Sequence, residues 1–357
     1  MAYTREQKAE IWLDSFGLDY AIKRKIYRLA TTAYGLVSEF FKYKPAVAEY
    51  SEEAASRMEA SLQDGAYLNK ILDTYAKKRI ECIGMSAPQY PEELRQMPDP
   101  PFMLYCRGDV GLLGKRKFAI VGSRHTTAPV MKRTQEFARA IARSFVIVTG
   151  LADGGDTAAL TGALEGGKAI VVLAYGLDHV YPGCNRALLK RAEQSGLVIS
   201  EYAPHEPPAK YRFPWRNRIL AGLSEGVLVV SGGEKSGTRI TAERAYEYGK
   251  DVFAFPYEPG VPSGVGCNAL IKEYAKLTDN LVDIGDAFGI NLSETEEIVL
   301  TGAERAVFEI LREGEAHVTE IAQKSGMKPY ELPIVLTALE MKKLIVNCGG
   351  NRWAAVR

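Results

Sequence analysis

Three glycine-bearing turns hold the residues of this chain best suited to binding an anion. Each turn follows a short run of branched apolar residues. A strand that ends in glycine and passes at once into a helix directs backbone N–H groups and a helix N-terminus at one point, where a phosphate is readily held. The candidate phosphate contacts in these turns are Gly122, Ser123, Arg124, Gly150, Gly154, Ser236, Gly237 and Thr238.

The turns belong to a repeating pattern of apolar runs and helical stretches. The runs are apolar throughout, as expected for parallel strands covered by helices on both faces. The pattern predicts an α/β fold with a Rossmann-like, doubly wound, mostly parallel sheet, whose ligands bind at the carboxyl ends of the strands. The predicted strands are 118–121, 146–148, 169–173, 197–199, 227–230 and 252–255, and the helices between them include 130–143, 157–165, 185–195 and 239–248.

The first turn lacks a standard nucleotide clamp. Dinucleotide-binding proteins carry G-x-G-x-x-G after the first strand and an acidic residue about 20 residues later. Here the first strand is followed by Gly122, Ser123 and Arg124, with one glycine, and the P-loop pattern G-x-x-x-x-G-K-[ST] is absent. The site is therefore expected to hold a phosphate or a sugar-phosphate backbone.

The composition is that of an ordinary globular protein. The chain has 357 residues, of which 46% are hydrophobic and 25% charged, and its net charge is +1. Any nucleic-acid site must therefore come from local clustering of cations. No signal peptide or apolar membrane span is apparent, and the five cysteines stand singly. We expect a cytoplasmic protein with no metal, no cofactor and no membrane contact.

Two further domains are expected beside the α/β domain, which we place at residues 79–290. Residues 1–78 have apolar residues at helical spacing and predict a small helical (SAM-like) domain. Residues 300–357 predict a winged helix, with Thr319 at a helix N-cap and a hairpin around Gly350. Residues 292–300 have the character of a linker.

The predicted recognition helix of the winged helix, 330–343, is poorly suited to a phosphate-lined groove. It carries Glu331 and Glu340 beside Lys342 and Lys343. Its mixed charge favours protein contact or vestigial DNA binding over base readout.

The order of motifs along nearly the whole chain resembles that of DNA-processing protein A, the DprA/Smf family. Any one of these motifs alone would be weak evidence for the family, but their occurrence in the same order is specific to it. The motifs are Tyr90-Pro91-Glu92-Glu93-Leu94, Pro98-Asp99-Pro100-Pro101-Phe102-Met103-Leu104-Tyr105, Val121-Gly122-Ser123-Arg124, Thr149-Gly150-Leu151-Ala152, Gly176-Leu177-Asp178 with Tyr181-Pro182, Ser200-Glu201, Phe213-Pro214-Trp215-Arg216-Asn217-Arg218-Ile219, Ser236-Gly237-Thr238-Arg239-Ile240-Thr241-Ala242 and Gly266-Cys267-Asn268-Ala269-Leu270-Ile271.

The resemblance implies a DNA-binding protein rather than an enzyme. Members of that family bind single-stranded DNA through the Rossmann-like domain, usually as dimers, and help to load a RecA-type recombinase during natural transformation. The sequence is consistent with single-stranded DNA binding, because aromatic residues at 211, 213 and 215, which can stack on bases, alternate with basic residues, which can contact phosphates. The further candidate DNA contacts are Lys210, Arg212, Arg216, Asn217 and Arg218.

Other interpretations of the same residues remain open. Arg216 and Arg218 are alternatively internal braces paired with Glu201 or Asp178, and Phe213 and Trp215 are alternatively core residues. The chain also departs from the family pattern at the presumed ligand edge, and the departures are Gly155-Asp156 after Gly154, Ala158-Ala159, and Ser231-Gly232-Gly233 in place of an acidic residue.

The third turn also suggests an alternative function, that of an enzyme. Ser231-Gly232-Gly233 and the following Ser236-Gly237-Thr238 resemble the P-G-G-x-G-T-x-x-E signature of nucleoside-monophosphate phosphoribohydrolases. In that signature the glutamate stands three residues after the threonine, a position that Thr241 occupies here, while Glu243 comes two residues later. The hydrolase is therefore the weaker hypothesis, and nucleotide binding without hydrolysis stays open.

Overall fold

The apolar runs of the sequence form most of one nine-stranded sheet. Its strands are β1 (Glu81–Gly84), β2 (Met103–Gly108), β3 (Lys117–Val121), β4 (Val146–Thr149), β5 (Ala169–Leu173), β6 (Leu197–Ser200), β7 (Gly226–Val229), β8 (Asp251–Ala254) and β9 (Lys276–Leu277). This computed structural model describes residues 3–292, 300–328, 330–342 and 344–356.

The strand order is β1-β2-β6-β5-β4-β3-β7-β8-β9. The strands from β6 to β9 in this order are parallel, and β1 and β2 extend the sheet with antiparallel pairing. The chain winds outward from β3 in one direction through β4, β5 and β6, and then in the other through β7, β8 and β9. The doubly wound, mostly parallel sheet is confirmed, and its switch point lies between β3 and β7, where ligands of such sheets bind.

Helices surround the sheet and precede it along the chain. The six N-terminal helices are α1 (Arg5–Asp14), α2 (Tyr20–Tyr27), α3 (Ala33–Ser38), α4 (Phe40–Tyr50), α5 (Glu52–Gln63) and α6 (Tyr67–Lys77). The later helices of this unit are α7 (Glu92–Arg95), α8 (Ala128–Ile141), α9 (Gly155–Gly166), α10 (Arg186–Ser195), α11 (Arg212–Leu223), α12 (Gly237–Glu247), α13 (Val265–Glu273) and α14 (Val282–Phe288).

Successive residues of the central strand pack against opposite helical layers. Phe118 and Ile120 of β3 belong to the core that α8, α9 and α10 cover. Ala119 and Val121 belong to the core beneath α11, α12 and α13. Because both faces of the strand are buried, its sequence is apolar throughout instead of alternating.

The N-terminal helices share a core with the sheet. Ser86 donates its backbone N–H (2.9 Å) and hydroxyl (2.7 Å) to the Glu10 carboxylate of α1. The Tyr105 hydroxyl of β2 donates to Asp14 at 2.5 Å. The chain accordingly divides into two compact units, Met1–Ser293 and Glu294–Arg357. The domain boundary expected at residue 78 therefore lies inside the first unit.

The second unit is a winged helix. It consists of α15 (Gly302–Glu313), β10 (Ala316–His317), α16 (Val318–Ser325), α17 (Leu332–Met341), β11 (Ile345–Gly349) and β12 (Arg352–Ala355). The three strands pair in the order β10-β12-β11, and the predicted hairpin is confirmed.

One detail of this unit differs from expectation. The N-cap of α16 is His317, whose Nδ1 accepts the Thr319 N–H at 3.3 Å, so Thr319 is not the cap. Lys342 pairs with Glu304 at 2.7 Å, while Lys343 and the expected linker residues 293–299 lie outside the described residues.

Among the residues that the structure describes, no helix has the length and apolar character required to cross a bilayer.

Candidate nucleic-acid interface

The three glycine turns meet at the carboxyl edge of the sheet, which we call the glycine edge. The first turn (122–127) follows β3, the second (150–156) follows β4, and the third (231–238) follows β7. A Cβ added to Gly122 would lie 2.6 Å from the Gly155 Cα, so the first two turns are packed backbone against backbone. Gly154 adopts a φ of +78°, a conformation that favours glycine.

Serine and threonine side chains join the first turn to the third. The Ser123 N–H donates to the Ser231 carbonyl (3.1 Å) and to its hydroxyl (2.9 Å). The Thr126 hydroxyl lies 2.5 Å from the Ser231 hydroxyl and donates to the Ser123 carbonyl at 2.6 Å. Ser231, which stands where the family pattern has an acidic residue, is thus a structural link between two turns.

A buried carboxylate occupies the centre of the edge. Asp156 is 5% exposed and accepts the N–H groups of Gly122 (3.2 Å) and Ala152 (3.4 Å). Burial raises the pKa of Asp156, and the nearby charge of Arg216 opposes that shift. The prediction that the Gly122 and Ser123 amides point at a bound phosphate is therefore corrected, because both N–H groups are used inside the protein.

Arg216 lies below the surface and links the second turn to the third. It is 5% exposed, and its guanidinium donates to the Val172 carbonyl and, at 3.2 Å, to Asn217 Oδ1. The Asn217 amide donates in turn to the Gly237 carbonyl at 3.0 Å. Gly150 has no side chain to obstruct this arrangement, since a Cβ there would lie 2.7 Å from an Arg216 nitrogen. Arg216 and Asn217 brace the edge instead of contacting a ligand phosphate directly.

Arg218 is also an internal brace. It is 1% exposed and pairs with Glu201 at 2.6 Å and with Asp99 at 3.5 Å. Asp178, the other partner considered from sequence, pairs with Lys78 instead. A buried, paired guanidinium is not available to a strand at the surface, so Arg218 is removed from the candidate DNA contacts.

Arg212 is neutralised by its own loop. Its guanidinium pairs with Glu206, donates to the Pro207 carbonyl at 3.0 Å and lies 4.5 Å from the centre of the Tyr202 ring. These contacts stabilise the segment before α11. The prediction that Arg212 contacts DNA is therefore corrected in favour of a structural role.

Arg124 is an exposed cation of the first turn. Its guanidinium carbon lies 5.5 Å from the centre of the Phe213 ring, within range of a cation–π interaction. Neither Asp153 nor Asp156 forms an ion pair with it within the described part of the chain. A charged side chain that lies over an aromatic ring, and whose N–H groups have no partner among the described residues, is well placed to bind a phosphate.

An aromatic pocket lies beside Arg124. It is open to solvent, and its lining includes Tyr175, Tyr181, Phe213 and the buried Arg216. The Phe213 and Tyr181 rings are 5.8 Å apart, edge to face. The Tyr175 hydroxyl donates to the Tyr181 carbonyl at 2.7 Å, which fixes the two tyrosines. Phe213 is thus part of the edge, whereas Trp215 contacts Tyr20 of the N-terminal helices.

The remaining candidates lie around this pocket and at the third turn. Lys210 is exposed and makes no ion pair with another described residue. Ser236 precedes α12, and its hydroxyl lies 2.6 Å from the hydroxyl of the buried Thr238. Gly237 is the exposed first residue of the helix.

The third turn lacks the carboxylate arrangement of the hydrolase signature. Thr241 is buried, and its hydroxyl donates to the Gly237 carbonyl. Glu243 pairs with Arg239 at 2.8 Å on the outer side of α12. Among the described residues, no group of three or more His, Cys, Asp and Glu side chains is arranged to hold a metal ion.

Sequence reasoning missed three residues that shape the site. Asp156 stood inside a quoted turn, but nothing in the sequence showed that its carboxylate would take two backbone amides. Tyr175 and Tyr181 follow β5 at the same sheet edge as the glycine turns. Their position at the carboxyl end of a strand was the available signal.

Fold and site together define a class of proteins in which a Rossmann-like domain with a glycine-rich ligand edge is followed by a winged helix. The family model described as "DNA recombination-mediator protein A" matches residues 81–289, and the model "DprA winged helix domain" matches residues 293–351. The chain belongs to the DNA recombination-mediator protein A (DprA/Smf) family.

Individual relatives agree with this assignment. The DNA processing protein DprA of Bacillus subtilis is 40% identical over 220 residues, which cover 61% of this chain and 74% of that protein. The X-ray structure of DprA from Streptococcus pneumoniae has a TM-score of 0.66 and 33% identity, covering 80% of this chain and 98% of the other. A structure of DNA processing protein A from Helicobacter pylori, which has a unique single-stranded DNA binding mode, has a TM-score of 0.54 and 31% identity, covering 59% of this chain and 95% of the other.

Proposed function

We propose that the glycine edge binds single-stranded DNA, with Arg124 and Phe213 at the centre of the site. The observation that carries the proposal is the exposed guanidinium of Arg124, which pairs with no carboxylate among the described residues and lies 5.5 Å from the centre of the Phe213 ring. Its N–H groups offer a forked contact to a phosphate. The H. pylori relative binds single-stranded DNA, which supports the same ligand class for this chain.

The pocket accounts for a preference for single strands. A base enters an aromatic pocket only when it is unstacked, as it is in a flexible single strand, and base–aromatic contact is worth about 1–3 kcal/mol. The pocket beside Arg124 offers Phe213 and Tyr181 as aromatic contacts. The buried Arg216 adds positive charge beneath the pocket, and the exposed Lys210 and the start of α12 offer further contacts to the backbone.

A titration tests this proposal. Fluorescence anisotropy with labelled oligo-dT and with duplex DNA of equal length should give markedly tighter binding to the single strand. Equal affinity for both DNAs, or no binding to either, would contradict the proposed ligand. Incubation with nucleoside monophosphates should release no free base, and release of base would restore the phosphoribohydrolase hypothesis.

We further propose that the bound strand is delivered to a RecA-type recombinase, and that the protein acts as a homodimer. Family membership supports both proposals. The recombinase step is tested by the DNA-dependent ATPase of a RecA-type recombinase on DNA precoated with single-strand-binding protein. The ATPase lag should shorten when this protein is added. Sedimentation should show a dimer at micromolar concentration, whereas a monomer would contradict that part of the proposal.

A further inference from the structure

Helix α10 begins at the glycine edge. The side-chain amide of Asn185, the residue before the helix, donates to the Leu151 carbonyl at 3.0 Å and to the Thr157 hydroxyl at 2.9 Å. These bonds tie the start of α10 to the second glycine turn. Tyr181 and Pro182, just upstream, line the same pocket as Arg124. A strand that leaves this pocket past Tyr181 therefore meets the first turn of α10.

The exposed face of α10 carries two free cations at its start. Arg186 and Lys190 are exposed, while Leu189 and Ala192 on the other side are buried in the core. Arg186 and Lys190 are four residues apart, so they lie on one face and are separated by about 6 Å along the helix. Neither forms an ion pair or a side-chain hydrogen bond with any residue that the structure describes.

The neighbouring carboxylates Asp153 and Glu193 form no ion pair with Arg186 or Lys190 within the described part of the chain. Glu193, the acidic residue of α10, lies three residues after Lys190, but its carboxylate is paired with Arg107 at 2.8 Å. Arg191 lies towards α9, where the pKa of Glu165 is lowered mainly by hydrogen bonds from Arg139 and Gln135 and, to a smaller extent, by the charge of Arg191. Asp153 is the carboxylate at the start of the helix, and its Oδ1 lies 3.1 Å from the Cys184 sulfur.

The lack of partners distinguishes Arg186 and Lys190 from several other cations of this region. Arg212, Arg218 and Lys78 each pair with a carboxylate. In a chain of net charge +1, two adjacent unpaired cations create a local positive field even though the molecule as a whole is nearly neutral. Such a field attracts a polyanion that already lies at the neighbouring pocket.

We propose that Arg186 and Lys190 extend the DNA site, by holding the phosphates of nucleotides that lie beyond the Arg124 pocket. The inference rests on the proposed single-strand binding at the glycine edge. The strand then runs from the pocket along α10, down the side of the sheet. Short oligonucleotides fill the pocket alone, and longer ones also contact the helix.

The test compares DNA lengths in the full-length protein. Oligo-dT of about 6 and about 20 nucleotides brackets the footprint expected for a single-strand site. The test variant is Arg186→Ala/Lys190→Ala. The matched control is Lys115→Ala/Lys168→Ala, which removes two exposed cations just before β3 and β5, at the opposite edge of the sheet.

We expect the test variant to bind the short oligonucleotide like the wild type. On the long one it should lose on the order of 10-fold in affinity at about 0.1 M salt, and its salt dependence should flatten by about 1.4 in slope, at about 0.7 for each phosphate. The control should match the wild type on both lengths.

Two results would overturn the extension along α10 while leaving the pocket intact. They are unchanged affinity of the test variant for the long oligonucleotide, and an equal loss on both lengths with unchanged melting temperature, which would place Arg186 and Lys190 in the pocket itself. If the wild type binds neither length, the proposed function fails, and the extension fails with it.

Discussion

The Asp156 carboxylate accepts the Gly122 N–H at 3.2 Å, so a side chain of the protein already occupies the point where the amides of the first two turns converge. A ligand phosphate therefore does not enter that position. The phosphate contact that we propose is instead the guanidinium of Arg124, which lies 5.5 Å from the centre of the Phe213 ring, while the charge of the buried Arg216 offsets that of the carboxylate.

Removing this carboxylate should destabilise the fold. Asp156→Ala leaves the buried Arg216 without its nearest opposing charge and the Gly122 N–H without an acceptor, for which we expect a loss of about 3–5 kcal/mol in the free energy of unfolding. Asp156→Asn, which keeps one acceptor oxygen, should lose less. Urea denaturation measures both, with the exposed neighbour Asp153→Ala as the control. Equal stability of Asp156→Ala and Asp153→Ala would contradict the bracing role.

Arg124 should affect binding and not stability. Arg124→Ala should weaken single-strand binding by about 1.5–3 kcal/mol, and Arg124→Lys should recover part of this, because lysine offers a point charge instead of a fork. The melting temperature should stay near the wild-type value. A marked fall in melting temperature with normal affinity per folded molecule would indicate a structural arginine.

The chain offers a close control for this substitution. Arg116 also lies over a phenylalanine, 4.6 Å from the centre of the Phe145 ring, but it pairs with Glu225 and precedes β3 at the opposite sheet edge. Arg116→Ala should leave DNA binding unchanged. A comparable loss of affinity would mean that net charge, and not the pocket, governs binding.

The salt dependence of binding should be moderate. Three to five phosphate contacts give a slope of log K against log salt of roughly −2 to −4, at about 0.7 for each contact on single strands. The slope is measured by oligo-dT titration from about 0.05 to 0.5 M salt. A flat response would show that phosphate contact contributes little.

The first unit should carry the single-strand affinity by itself. A fragment of residues 1–292 should bind oligo-dT like the whole chain, and a fragment of 300–357 should bind weakly, since several of its basic residues are paired with acids. A fragment of 80–290 should bind but be less stable, because it exposes the core shared with the N-terminal helices. Dominant binding by 300–357 would overturn this assignment.

Glu10 should make stability depend on pH. Burial raises the pKa of this carboxyl from 4.5 to about 7. The folded state therefore binds the proton more tightly than the unfolded state. The contribution of the protonated Glu10 to the free energy of unfolding is complete below pH 4.5 and is lost as the pH rises through 7. Relative to the wild type, Glu10→Gln should gain up to about 3 kcal/mol between pH 4.5 and 8, at about 1.4 kcal/mol per pH unit. A pH-independent difference would contradict the buried, proton-binding carboxyl.

The sequence was informative about the sheet and less so about its edges and its arginines. The apolar runs predicted β3 to β8 to within a residue or two at each end, because strands buried on both faces leave a continuous signal. β1, β2 and β9 were missed, since β9 has two residues and β1 and β2 flank a proline-rich stretch.

The partners of the basic residues could not be read from sequence. Arg212 and Arg218 share a basic segment with Lys210, yet the first two pair with Glu206 and Glu201 while Lys210 is exposed. Which cation meets a carboxylate depends on how α11 packs against the preceding loop and strand. Local composition gives the number of charges in a segment but not which of them remain free.

The contact between Gly122 and Gly155 restricts which residues of this site can be substituted. A side chain at either position would push the first two glycine turns apart, so these two glycines, which we call the floor of the site, cannot be replaced without moving the backbone. The exposed side chains around it, which we call the rim, are Arg124, Lys210 and those on the outer face of α10. They can be replaced more freely, because they do not support the backbone of the turns. Relatives with different strand preferences or affinities can therefore arise by exchange of rim residues alone, on an unchanged backbone.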